Sequence, residues 1–203
     1  GHDPLYAPQS KEDSDIFNRF QLNGVKFIQT WEGFVYHMTC RGSRFNPTIT
    51  EVGKESDEWL AQNQRSTRNF IRKWGHFVMH DRLMKPIIPP KFNIGLILNN
   101  ANSTSLYHLE PWFSKIWVHP SLVVGYIAEE QKNTLINLKD RVRTHFSEYD
   151  TDIVVKLDGT DLDQETFGYI QKFSEIIDAH GELGTFELGN LKIEIHSLEE
   201  YQE

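Results

Sequence analysis

The sequence predicts an α/β fold in two parts, on three observations. Apolar residues recur at three- and four-residue steps in some stretches and crowd into short β-branched and aromatic runs in others, the respective marks of helices and strands. The two patterns alternate along the chain. In the segment 84–93, "MKPIIPPKFN", three prolines fall within five residues, which forbids a helix and favours an extended connector. The border is therefore placed near Ile88, with residues 1–88 and 89–203 as separate domains.

In the first part, "SKEDSDIFNRFQLNG" (10–24) reads as a helix over about 11–22. Ser10 is the expected N-cap with Asp13 three residues on, Ile16, Phe17 and Phe20 form the expected apolar face, and Gly24 is suited to end the helix. "VKFIQT" and "GFVYHM" read as short strands divided by Trp31-Glu32. The stretch "TCRGSRFNPTITEVGKES", with Gly, Pro and Ser and no steady period, reads as a loop. A long helix follows from Ser56, with Trp59, Leu60, Asn63, Thr67, Phe70, Ile71, Trp74, Phe77 and Val78 at helical spacing and Arg65, Arg68 and Arg72 on the polar face.

In the second part, "NIGLILNN" is a buried strand and "STSLYHLEPWFSKI" a helix secured only before Pro111. "SLVVGYIAEE" and "DTDIVVKLDG" read as strands with a helical "TLINLKDRVRTHF" between them. "DLDQETFGYIQKFSEIIDAH" is an amphipathic helix, and "TFELGNLKIEI" is a hairpin around Gly189-Asn190. This alternation predicts a compact α/β sandwich of ferredoxin-like type.

Composition narrows the function classes. The 203 residues can bury a proper core, and a charged quarter of the chain is ordinary for a globular protein. A single cysteine, Cys40, excludes an internal disulfide and a cysteine-based zinc framework. No apolar run reaches the roughly 20 residues that span a bilayer, and the start lacks the regions of a signal peptide, so a cytoplasmic protein is expected. Residues 1–90 carry 12 Lys and Arg against 10 Asp and Glu, while 91–203 carry 9 against 19. The acidic second part has no basic cluster with which to release counterions from a phosphate backbone, so no nucleic-acid partner is expected.

Taken singly, the residues that could carry chemistry have bland readings. Glu12, Asp13 and Asp15 fall in the first turn of a helix, where free N–H groups and the positive dipole end favour negative charge. Asp15 and Arg19 are spaced as a helix-surface ion pair. "HFVMHD" (76–81) spaces two histidines as in a zinc-protease helix, but Phe77 stands where the glutamate base would be. "DLD" at 161–163 reads as helix capping, and the Asn-x-Ser/Thr triplet at Asn102 as accidental.

Their order says more. "EDSD" opening a helix, Arg19, Gly24, two strands ending in "FVYH", a loop with Gly42 and arginines, and a helix closing in "RKWG" together resemble the C-terminal half of the catalytic domain of family-two, GT-A-fold inverting glycosyltransferases. The likeness covers roughly residues 3–75. It implies Asp13 as catalytic base, Glu12 as its acidic neighbour and His37 as ligand to a divalent cation, Mn or Mg. On the substrate side it points to Asp15, Arg19, Arg41, Arg44, Lys73 and Trp74. The implied partners are a nucleotide-diphosphate sugar and a hydroxyl-bearing acceptor.

Those residue types suit the reaction. A carboxylate takes the acceptor proton as the oxygen attacks the anomeric carbon opposite the leaving diphosphate. Arg41, Arg44 or Lys73, or a cation, can stabilise the negative charge that builds there. Only about ten residues precede the acids and the chain opens "GHDPLYAP", so the nucleotide-binding half with its Asp-x-Asp motif has no counterpart upstream. A truncated or excised transferase fragment is expected, inactive alone and open to self-association, with 89–203 as an accessory domain. The rival expectation is a non-catalytic protein-interaction module.

Overall fold

The computed structural model describes residues 1–36, 54–144 and 150–200. It divides the chain into two compact units, the first formed by Gly1–Arg68 and Val78–Ile88, the second by Asn69–Phe77 and Pro89–Glu203. The protein is α/β, with a six-stranded mixed sheet in the second unit.

In the first unit, helix α1 spans Glu12–Leu22 and helix α2, spanning Asp57–Trp74, begins here and ends in the second unit. Gly24 ends α1 as expected. It takes φ +70°, its N–H donates to the Gln21 carbonyl (3.0 Å), and the Val25 N–H reaches back to Phe20 (2.9 Å), a Schellman pair of bonds. The start differs from expectation. Lys11, not Ser10, is the N-cap, and it makes no side-chain cap bond. The packed face also differs, because Asp15 and Asn18 are buried while Phe17 and Phe20 lie 46% and 40% exposed. Ser56 does cap α2, its Oγ accepting the Trp59 N–H at 3.2 Å.

Residues 25–36 form no strand, only a 3₁₀ turn at Trp31–Gly33. Their β-rich pattern is real, but a strand needs a partner ladder, and the described residues of this unit provide no sheet to join. Ile28, Trp31, Phe34, Val35 and Tyr36 are accordingly exposed. The rest of the second expected strand, and most of the expected loop after it, lie outside the described residues.

The second unit is built on strands β1 (Ile94–Asn99), β2 (Lys115–Trp117), β3 (Val142–Arg143), β4 (Ile153–Asp158), β5 (Gly184–Leu188) and β6 (Leu191–Ile195). Their spatial order is β3-β2-β1-β4-β6-β5. The first four run parallel, and β6 and β5 close one side antiparallel. Such a sheet differs from the split βαβ arrangement of a ferredoxin-like sandwich. Gly95 makes the β1–β2 contact feasible, since a Cβ there would meet Trp117 Cζ3 at 2.4 Å and Thr151 Oγ1 at 2.6 Å. The β5–β6 hairpin turns at Gly189-Asn190 as the sequence predicts, Gly189 supplying the positive φ of +57°.

The connections are helical: α3 (Ser103–Leu109), α4 (Pro120–Glu130), α5 (Leu138–Arg141), α6 (Gln164–Gln171) and α7 (Phe173–His180). The run "SLVVGYIAEE", expected as a strand, is most of α4. Pro120 sits at its first position with φ already set for a helix, and helical spacing turns Tyr126 and Glu130 together into the core. Among the described residues of the expected helix "TLINLKDRVRTHF" only four are helical, because Val142 and Arg143 leave to pair with β2. The expected helix over 161–180 breaks at Lys172, yet Ile170, Phe173 and Ile177 all remain buried. Leu96, Leu106, Ile116, Ile153, Val155 and Ile193 are at the centre of the core.

Within that core lies a charge network. The fully buried Glu110 carboxylate accepts from Arg72 Nε (3.0 Å) and Nη2 (2.6 Å), Arg141 Nε (3.0 Å) and Tyr126 OH (3.0 Å). Arg72 Nη2 also reaches Glu130 (2.6 Å), and its Nη1 donates to Asn69 (2.8 Å). Arg68 and Arg72, expected on the polar face of the helix, are buried. Burial alone would lower the Arg72 guanidinium, but Glu110 and Glu130 overrule it and hold it above its usual value. Arg72 and Arg141 thus offset the charge of Glu110, which cannot be removed cheaply from between them. Glu110→Ala is expected to cost about 3–5 kcal/mol, because two buried guanidinium groups lose their shared partner. Glu130→Ala should cost clearly less, since Arg72 keeps Glu110. Urea unfolding of both variants, read as a shift in midpoint at constant slope, checks the ranking.

The two histidines of "HFVMHD" do not share a helix face. α2 has ended, Gly75 takes φ +79°, His76 is buried, and His80 is exposed in an isolated bridge with Pro86. His76 Nδ1 contacts the Phe77 carbonyl (2.5 Å), its ring stands edge-on to Phe70, and its Nε2 is buried without a hydrogen bond. Desolvation lowers the imidazole below its usual value; the Phe77 carbonyl and Glu175 oppose this, while Lys91 adds to it. The native state therefore holds a neutral ring where the unfolded chain takes up a proton below about pH 6.5. Stability is complete above that pH and declines as the pH falls from there towards the depressed native value. His76→Gln should flatten this acid limb, as measured by thermal midpoints between about pH 7.5 and 5.

Candidate functional site

The start of α1 concentrates the polar chemistry of the first unit. Its three acids have separate fates. Asp15 is wholly buried, accepting from Arg19 Nε at 2.9 Å and from the Tyr6 hydroxyl at 3.4 Å. Glu12 is half-buried, with Oε2 out of contact with solvent and without a hydrogen bond. Asp13 is exposed, and among the described residues its carboxylate has no hydrogen-bond or ion-pair partner. Arg19 is committed, its other end donating to the Gly1 carbonyl (2.7 Å).

The chain enters α1 through an unusual turn. Ser10 and Lys11 take φ of +79° and +73°, consecutive left-handed residues without a glycine, each costing about 1–3 kcal/mol. The polar face of α2 holds them. Asn63 Oδ1 accepts from Ser10 Oγ (2.7 Å) and Lys11 Nζ (3.0 Å). Beside it on α2, Gln62 Nε2 (2.9 Å) and Ser66 Oγ (3.1 Å) donate to the Gln9 carbonyl, and Arg65 Nη2 (2.7 Å) donates to that of Ala7. Partial burial lowers the Lys11 ammonium from its usual value, with Glu12 pulling the other way. The result is a turn stiffened from outside, presenting a carboxylate of position 13 to solvent.

The other sequence-predicted residues are placed as follows. His37, Arg41 and Arg44 lie outside the described residues. Lys73 and Trp74 belong to the second unit, where Trp74 is buried beside Phe70 and the Lys73 ammonium lies 5.6 Å from the indole centroid. Asn102 caps α3, its Oδ1 accepting the Ser105 N–H (2.8 Å), and Asp163 caps α6 through the Thr166 N–H (2.7 Å). Among the described residues no three His, Cys, Asp or Glu side chains cluster as metal ligands. None of the described helices is long and apolar enough to cross a membrane.

Sequence reasoning missed Asn63, Gln62 and Ser66. Asn63 fell on the expected apolar repeat, and a polar residue there was itself the available signal. It also missed the carboxyl ends of β1 and β4, where the strand order reverses and α/β folds often bind ligands. Here those ends are closed on each other. Asp158 accepts from Asn100 Nδ2 (2.6 Å), Thr160 Oγ1 (2.6 Å) and Thr160 N (2.9 Å), bonds that hold it below the usual carboxylate range. A Cβ on Gly159 would stand 2.9 Å from the Asn100 carbonyl oxygen. The start of α1 is thus the better candidate. No protein-family model, no curated protein and no solved structure matches this chain.

Proposed function

We propose that residues 1–88 carry the base-bearing part of an inverting glycosyl-transfer site, similar to the C-terminal half of a GT-A-fold domain, with 89–203 as an accessory α/β domain. Asp13 is the base. Its carboxylate takes the proton from the acceptor hydroxyl as that oxygen bonds to the anomeric carbon, and the bond to the nucleotide diphosphate breaks with its electron pair leaving on the phosphate oxygen. One observation carries this reading: of three acids in one helical turn, two are drawn into the protein and Asp13 alone is left open to solvent. The ordered set "EDSD", Arg19, Gly24, "FVYH" and "RKWG" supports it from the sequence. The described residues do not by themselves supply a ligand set for the Mn or Mg ion of the resemblance, so the proposed chemistry rests on the carboxylate.

A second reading, a protein-interaction module, is favoured by the exposed side chains of Trp31, Phe34, Val35 and Tyr36. Substitution separates the two. With the protein expressed from its complete natural reading frame and offered uridine and guanosine diphosphate sugars with Mn, Asp13→Asn should lower kcat about 10²–10⁴-fold at an unchanged thermal midpoint. Asp15→Ala should instead lower the midpoint first, by removing a buried partner of Arg19 and Tyr6. Undiminished transfer by Asp13→Asn refutes the enzyme reading.

A further inference from the structure

We infer that Asn63 is a positioning residue for the acidic turn, holding Ser10 and Lys11 in left-handed geometry and thereby fixing where the Asp13 carboxylate points. For its consequence in transfer this inference rests on the reading of Asp13 as base; its structural half stands without that reading.

Non-glycine residues leave the left-handed region unless something outside the backbone holds them there. At Ser10 and Lys11 that restraint converges on a single atom, since Asn63 Oδ1 accepts from both side chains. One of the two bonds is charge-assisted, from an ammonium group half removed from water. Gln62, Ser66 and Arg65 also bond the entering chain, but through the carbonyls of Gln9 and Ala7, upstream of the two left-handed residues. Among the described residues, only Asn63 grips the side chains of the residues whose dihedrals set the first turn. Lys11 is also the N-cap of α1, and its carbonyl receives the Asp15 N–H at 2.9 Å, the bond that starts the helix. A change of φ at Lys11 therefore swings Glu12 and Asp13 together. A carboxylate that must meet an acceptor oxygen at hydrogen-bond distance tolerates little such swing.

Asn63 supplies an acceptor and Ala does not, whereas Asp supplies one of the same reach. Hydrogen exchange in the whole protein reads the turn directly. In Asn63→Ala the Asp15 amide should exchange about tenfold faster or more, with amides of β1 and β4 unchanged; in Asn63→Asp it should keep the wild-type rate. If Asn63→Ala does not fold, Lys11→Met removes one of the two donors and should give a smaller acceleration at the same amide. In transfer, Asn63→Ala should lower kcat about 10²-fold with acceptor KM little changed, and Asn63→Asp should restore it. Wild-type exchange at Asp15 in Asn63→Ala, acceleration spread over the whole chain, no rescue by Asp, or faster exchange with undiminished transfer would each overturn the inference. An Asp13→Asn variant that transfers normally overturns the base assignment instead and leaves the exchange result to decide the structural half.

Discussion

The buried Glu110 carboxylate organises the second unit. Ionised carboxylates are costly to strip of water, and this one is accommodated because Arg72, Arg141 and Tyr126 all point hydrogens at it from different elements. Each partner arrives on its own secondary structure: Arg72 at the end of α2, Tyr126 in α4, Arg141 at the end of α5. Apolar packing among Leu96, Leu106, Ile116 and Val155 would tolerate small displacements of those helices, but the bonds to Glu110 do not. Hydrophobic burial thus gives the unit its mass of stabilisation, and the charge group selects one arrangement among similar packings.

The same helix that brings Arg72 to that group carries a second set of polar side chains in the first unit. Gln62, Asn63, Arg65 and Ser66 stand on α2 within about one turn, and each bonds the segment from Ala7 to Lys11. α2 is in this sense a polar helix whose working faces are turned inward at both ends. Ser66, Arg68, Asn69 and Arg72 are all buried, whereas Leu60 is 45% exposed. Such a helix does not settle by amphipathic burial alone, and specific hydrogen bonds must fix it.

That inversion explains what could and could not be read from the sequence. Where apolar periodicity governed the outcome, the reading succeeded for β1, β4 and α3, and where a glycine's left-handed φ governed, it succeeded for the β5–β6 turn and the Gly24 ending of α1. Where polar groups governed, it failed. Arg68 and Arg72 read only as part of a polar face, because sequence spacing does not reveal a buried anion, although Glu110, set among Leu109, Trp112 and Phe113, was a carboxylate in an apolar run. The apolar "SLVV" suggested a strand, but Tyr126 and Glu130 must reach one neighbourhood, and at four residues apart a helix sets them about 6 Å from each other where a strand would set them about 13 Å apart. β2 escaped notice because three residues are too few to show a period, and residues 25–36 show one without a ladder to use it. At the site, the acids and Arg19 were legible as residues. Their separate fates were not, since burial of Asp15 and exposure of Asp13 depend on which side of α1 faces Tyr6.

Those fates also bear on how a carboxylate in the first turn of a helix should be judged. An acid at the N-cap accepts a backbone N–H of the first turn, whereas an acid inside the turn is favoured by the dipole without a bond of its own. Asp158 and Asp163 are of the first kind, each accepting a backbone N–H two or three residues on. Asp13 is of the second kind, and the capping position of α1 is held by a lysine in left-handed geometry that makes no cap bond. Among the described residues, Asp3, Asp81, Asp158 and Asp163 each close a turn by accepting a backbone N–H, whereas Asp13 stands clear on a turn that other residues are recruited to hold. Turn closure accounts for the first four. The conformational cost borne at Ser10 and Lys11 is left over after that account, and a use for the carboxylate they present is what would set it in balance.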